Sequence, residues 1–360
     1  MYKSKYFAGL LYTTVLVVML SGCSTVGYYA QSINGELNIL AKRQSISQLI
    51  QSKDISPELK QKLTTVLRIR EFSTRQLDLP DNGSYLSYVD LHRPYVVWNV
   101  FAAPEFTLEL KKWCFLFAGC VGYRGYFSQQ EALEFAKSMQ AKGYDVYVGG
   151  VDAYSTLGWF DDPLLSTVIK YDDVHLAGLI FHELAHQKIY IKNDTAFNEG
   201  YAHTVELEGI KRWMVFNGTP GMDSKYQEST RRRKDFVKLI TGTGEKLKQL
   251  YSSQLPDVIK KNRKEQIFHA MRSEYLHIKE QQWGGYSGYD AWFSDDLNNA
   301  KLLSITTYTD YVPAFKALFK NENENFKKFF AAVREIGELP EAERKKRLDQ
   351  LLIQAKNQHQ

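Results

Sequence analysis

The chain is short of several things that would place it quickly. It has only three cysteines in 360 residues. Two of them, Cys114 and Cys120, have no neighbouring His or further Cys, so they make a poor zinc site. It has one long apolar run, between Phe7 and Leu20, interrupted by Thr13 and Thr14. That run falls short of the roughly 20 apolar residues a spanning helix needs. It has no strong charge of one sign: the net charge is +5 and the basic residues are dispersed. The single dense run, Arg231-Arg232-Arg233-Lys234, reads as a solvated helix face, so no nucleic-acid partner is expected. No internal repeat is visible. Hydrophobic residues make up 44% of the chain and aromatics 14%, which excludes wholesale disorder. The length allows one large domain or two smaller lobes.

The N-terminus is built for export. Lys3 and Lys5 precede the apolar run, and Leu20-Ser21-Gly22-Cys23 follows it. A basic start, a short apolar segment and small residues before a cut describe a secretory signal over residues 1–22. A Cys at the cut resembles the bacterial lipobox, in which the thiol is acylated with palmitate-type chains and becomes the mature N-terminus. Each buried methylene then contributes ~0.8 kcal/mol to holding the protein at a bilayer. An uncleaved transmembrane anchor is the alternative. Ser24 after the Cys is similar to lipoproteins sorted to the outer membrane, which implies its periplasmic face. In an oxidising compartment Cys114 and Cys120 can close a disulfide around a small loop or remain two buried thiols.

Along the mature chain, residues 31–43 read as a first helix. Ser56-Pro57-Glu58 opens a second, with Leu59, Leu63, Val66 and Leu67 as its apolar stripe. Residues 77–83 read as a turn. Residues 95–101 and 106–110 read as strands, β-branched and aromatic, separated by Ala102-Ala103-Pro104. Ser128 with Glu131 forms a capping box, Gly143 ends that helix, and 145–149 reads as another strand. After Val174 helical spacing dominates, and the charged tail from Glu322 is expected to be helical and frayed. The expected fold class is therefore α+β and mostly helical: a small mixed sheet lobe (about 23–170) ahead of a helical half (171–360).

The helical half contains His182-Glu183-Leu184-Ala185-His186. Two His four apart lie on one helix face, close enough to share a metal. The Glu beside the first His can take a proton from a water at the open position of a zinc ion, whose pKa falls to about 7. On that reading the cofactor is one Zn2+ ion and Glu183 is the general base. A turn at Lys192-Asn193-Asp194 leads to Thr195-Ala196-Phe197-Asn198-Glu199-Gly200-Tyr201-Ala202. This resembles the Asn-Glu stretch that carries the third ligand in gluzincin zinc peptidases, and the resemblance implies Glu199 as that ligand. No His or Gly lies between Gln187 and Asp194 that would suit a metzincin. His203 and Glu206 fall on the side of Glu199. Glu206 is the candidate partner for a ligand His, and His203 could support the site or an oxyanion.

The lipobox, Gly27-Tyr28-Tyr29, Cys120-Val121-Gly122-Tyr123-Arg124-Gly125-Tyr126-Phe127, Gly158-Trp159-Phe160-Asp161-Asp162-Pro163, the His-Glu motif and Asn298-Asn299-Ala300 with Tyr308 together resemble the bacterial predicted aminopeptidase family. The resemblance spans nearly the whole mature chain. It implies a gluzincin-like fold, a peptide substrate and hydrolysis by zinc-activated water. In related enzymes a Tyr steadies the oxyanion, a role open here to Tyr308. The 145–149 strand would then align substrate as an edge strand does. An envelope endopeptidase or peptidoglycan cross-link hydrolase fits the same motif. A non-catalytic scaffold lipoprotein fits less well, because a structural zinc site has no use for Glu183.

Overall fold

The computed structural model describes residues 27–115, 119–218, 222–294, 296–306 and 311–357. Cys23 with the lipobox, and Tyr308, lie outside the described residues. The chain is α+β and mostly helical, as expected. Local sequence explains the helix starts. Ser56 accepts from the Leu59 N–H at 3.2 Å to open Pro57–Leu77. Ser128 accepts from the Glu131 N–H at 3.3 Å to open Gln129–Gln140. Each such cap satisfies an orphan amide and contributes about 1 kcal/mol. The first helix occupies residues 27–41.

The strands form small sheets. Val97–Pro104 is the centre of one, flanked antiparallel by Arg124–Tyr126 and Tyr144–Val151. The latter contains the expected 145–149 strand and lies at the sheet edge. Gln44–Ser45, Ser87–Val89 and Leu164–Leu165 form a second, mixed sheet. Cys114 and Cys120 face each other across a hairpin of Trp113–Phe115 and Gly119–Val121 and are joined by a disulfide. The strand expected at 106–110 does not form. Within it the Thr107 carbonyl accepts from Asn299 Nδ2 at 3.1 Å, and the same amide reaches the carbonyls of Pro104 and Glu105 just before it. A side chain from far along the chain replaces a ladder partner there, and only tertiary packing can supply it.

One core joins the N-terminal helices, the motif helices and the C-terminal tail. Leu63, Val66, Ile69, Phe181, Leu184, Tyr201, Trp213, Phe315, Phe329 and Leu351 all belong to it. The tail does not fray as expected. Phe326, Phe329, Phe330, Val333 and Ile336 recur at helical spacing and are buried on Phe326–Glu338, and Leu348 and Leu351 anchor Glu341–Asn357. Each fully buried Phe or Leu contributes about 1.5–3 kcal/mol, which outweighs the charge on the opposite face. Met222–Tyr251 and Asp257–Gln282 build a separate core around Phe236, Phe268, Tyr275 and Phe293.

Candidate metal centre

The motif helix, Asp173–Lys188, starts where Asp172 accepts from the Val174 and His175 amides at 3.0 and 2.9 Å. Leu176, Ala177, Ile180, Phe181, Leu184 and Ala185 bury most of its girth, leaving the polar positions one side on which to gather. A six-residue turn then reverses the chain into Thr195–Asn217. The turn is tied at several points. Asn193 takes a left-handed φ of 68° and accepts from the Cys120 N–H at 2.9 Å. Asn198 accepts from the Ile191 N–H at 2.8 Å and donates to the Ile191 carbonyl at 2.7 Å. Asp194 caps the second helix through the Phe197 amide, and its other oxygen receives Arg344 Nε at 2.7 Å. The tail thus clamps the start of the helix that carries Glu199.

Across this pair, His182 Nε2 and His186 Nε2 stand 3.1 Å apart. Glu199 reaches them with Oε2 at 3.3 Å and Oε1 at 3.7 Å, respectively. Donors at ~2.0–2.1 Å around a tetrahedral zinc lie roughly 3.3 Å from one another, so the three spacings fit that ion. Glu206 Oε2 lies 3.1 Å from His182 Nδ1 and 2.7 Å from His203 Nδ1. His182, His203 and Glu206 are also close enough to form a second metal-sized group. Ordinary hydrogen bonds from two rings to one carboxylate account for it, however, and they leave His182 Nε2 aimed at the first group. Glu206 therefore lies between the His182 and His203 rings, on the Nδ1 side of His182. His203 is directed at Glu206. The Nδ1 atom of His186 is buried and has no hydrogen-bond partner among the described residues.

The His and Glu groups of the site shift one another's pKa values. Burial alone would lower the His182 pKa, but hydrogen bonds and charge from Glu199 and Glu206 outweigh it and hold the ring well above its ordinary range. His186 falls to about 4, first through burial and then through the charge on His182. Burial opposes ionisation of Glu199 and Glu206, yet their His partners keep both below the ordinary carboxylate range. Each ring nitrogen of His182 thus faces one carboxylate, Nε2 toward Glu199 and Nδ1 toward Glu206. Glu183, beside His182, is pushed by burial up to about 7; His182 pulls it down, while Glu199, Asp162 and Glu206 add to the rise.

Loops bring further residues that sequence reasoning did not assign. Tyr85 is buried with an unpartnered hydroxyl, and its pKa is raised by burial and then by the charge of Glu183. Tyr123 packs on Phe101 and is raised by burial and then by Glu199. Tyr190 likewise feels Glu199. Two tyrosines thus flank the acids from elements outside the helix pair. Only the Gly122–Tyr123 motif marked either of them in sequence; Tyr85 carried no signal. Gln187, the residue after His186, donates to Asp162 at 2.9 Å. Asp162 also accepts from the Thr156 hydroxyl at 2.6 Å and from the Ser155 hydroxyl at 3.3 Å. The Gly158–Pro163 segment is thereby fastened to the end of the motif helix. Arg124 does not face this site; its guanidinium lies over Tyr28 at 4.1 Å and Phe135 at 4.6 Å.

His182, His186 and Glu199 thus bring three ligand-type atoms together in a group that could hold a metal ion. The model of a family described as "Putative aminopeptidase" matches residues 27–348, and the chain belongs to that family. No curated protein and no solved structure matches it.

Proposed function

We propose that the protein is a zinc-dependent peptidase, an aminopeptidase as the family description suggests, tethered to the bacterial envelope through a lipid on Cys23. One observation carries the catalytic reading: His182, His186 and Glu199 converge with zinc-like spacings while Glu183 stands next to them uncommitted to that set. The chemistry a zinc ion supplies when bound there is Lewis acidity toward water and a peptide carbonyl. Glu183 accepts the proton of the attacking water on its carboxylate and passes it to the nitrogen of the leaving amine. Burial that raises its affinity for a proton suits both transfers. Glu206 holds the His182 ring through Nδ1, so Nε2 keeps its aim. Anchoring draws its support from Leu20-Ser21-Gly22-Cys23. Among the described residues no helix is long and apolar enough to cross a membrane.

The test combines metal analysis with digestion of a diverse peptide library. The purified chain should hold one zinc, and His182→Ala and His186→Ala should lose most of it. Glu183→Gln should keep the zinc while hydrolysis falls ~100-fold to ~10,000-fold. Full zinc with no cleavage by the wild type would leave a scaffold as the better description. Acyl labelling that survives Cys23→Ala would remove the anchor.

A further inference from the structure

The helix at 27–41 carries apolar residues on its outer face. Ile33 is 57% exposed and Leu37 53% exposed, one turn apart, and Ala30 and Ala41 are exposed on the same stripe. The opposite face is fully used. Gln31 accepts from the Phe127 amide, and Ile39 is buried against Val89, Val96 and Leu165. The helix has a single acid, Glu36, and it is turned inward to the Tyr154 hydroxyl. Lys42 and Arg43 are exposed at its end.

The 155–161 loop adjoins this helix. Arg43 Nη1 donates to the Asp161 carbonyl at 3.1 Å, and Tyr154, at the root of the loop, is the residue that holds Glu36. At its tip Trp159 is 69% exposed and Phe160 46% exposed. Asp162 keeps the loop in place, so the two rings are presented outward on a fixed support. Exposed Trp and Phe beside Lys, Arg and an aliphatic helix stripe make up the residue set that settles at a membrane–water boundary.

We propose that the outer face of the 27–41 helix and the Trp159–Phe160 loop form one lipid-binding surface that lies on the bilayer interface. The occupant follows from chain length. Cys23 precedes Gly27 by four residues, and four extended residues reach at most ~14 Å. An acyl group on Cys23 therefore holds the start of this helix within ~14 Å of the lipid. In this respect the inference rests on the anchor reading. Asp162 also ties this loop to Gln187, the residue after His186, so the loop is fastened to the motif helix.

Flotation of the unlipidated mature chain with vesicles of phosphatidylethanolamine and phosphatidylglycerol isolates this surface from the anchor. The chain should co-float, and Trp159 emission, taken as the difference from Trp159→Phe, should shift to the blue. Ile33→Gln with Leu37→Gln, and separately Trp159→Ala with Phe160→Ala, should each weaken partitioning on the order of ten-fold, by loss of buried apolar area. Trp159→Phe should retain most binding. All four positions are exposed, and unchanged circular dichroism would show that the variants are folded. Absence of co-flotation by the unlipidated wild type, or variants that bind as tightly as it does, overturns the proposal. Acyl labelling at Cys23 is read separately: its loss with binding intact removes the anchor and leaves the surface standing.

Discussion

Two helix pairs of similar construction are put to different uses. Asp173–Lys188 with Thr195–Asn217 is packed on nearly every side, with residues such as Ala177, Phe181, Ala202 and Trp213 buried. Met222–Tyr251 with Asp257–Gln282 buries a narrower stripe through Phe236, Ile240, Leu247, Phe268 and Met271, and its remaining faces carry Lys, Arg and Glu. Most charged residues of the second pair meet water, although Lys264 is buried against Asp145. On the inward side of the first, His182, His186, Glu199 and Glu206 face one another rather than open water, so their charges are paired and the acids and imidazoles gather into one site. Dense packing thus supplies the site with its low dielectric and its fixed aim.

Removing equivalent acids from the two pairs should break this comparison most sharply. Glu206→Ala takes away the partner of His182 Nδ1 and should weaken zinc affinity 10–100-fold, read by competition with a chelator. Glu274→Ala, on the exposed face of Asp257–Gln282, should leave zinc affinity unchanged. Equal losses from both would mean that Glu206 does not orient the ring.

Glycine gives a second, smaller contrast. A Cβ at Gly178 would stand 2.6 Å from Ile210 Cδ1, inside the contact between the motif helices. Gly178→Val should therefore cost about 1–3 kcal/mol in denaturant unfolding of the metal-free chain. The least effect, and of opposite sign, belongs to Gly242, where an added Cβ would meet nothing within 4 Å. Gly242→Ala should gain about 0.5–1 kcal/mol, because alanine loses less backbone freedom in a helix. A stabilising Gly178→Val would show that the first pair is looser than its contacts indicate.

Much of the site's helix pair was legible in advance. The spacing of His182 and His186 and the Asn198–Glu199 pair are local patterns, and the structure brings His182, His186 and Glu199 together, with Glu206 on His182. Asn198 was legible only as part of a motif; its hydrogen bonds to Ile191 show that it closes the turn. The residues around 106–110 misled because apolar, β-branched composition does not reveal which group will meet the backbone, and at Thr107 it is Asn299. The tail misled for a related reason. Its charges were conspicuous, while the Phe326–Ile336 stripe that decides its fate is visible only as periodicity beneath them.

What the sequence determined by itself is what depends on neighbours within about a turn: helix starts, the shared face of His182 and His186, and the placement of Glu183 beside them. What only the tertiary structure decided is which distant groups surround that face. Tyr85 and Tyr123 come from separate loops, Arg344 reaches back to Asp194, and Cys120 meets Asn193. Such meetings arise because long-range burial pulls whole elements together, and no spacing within a single segment encodes the partner on another.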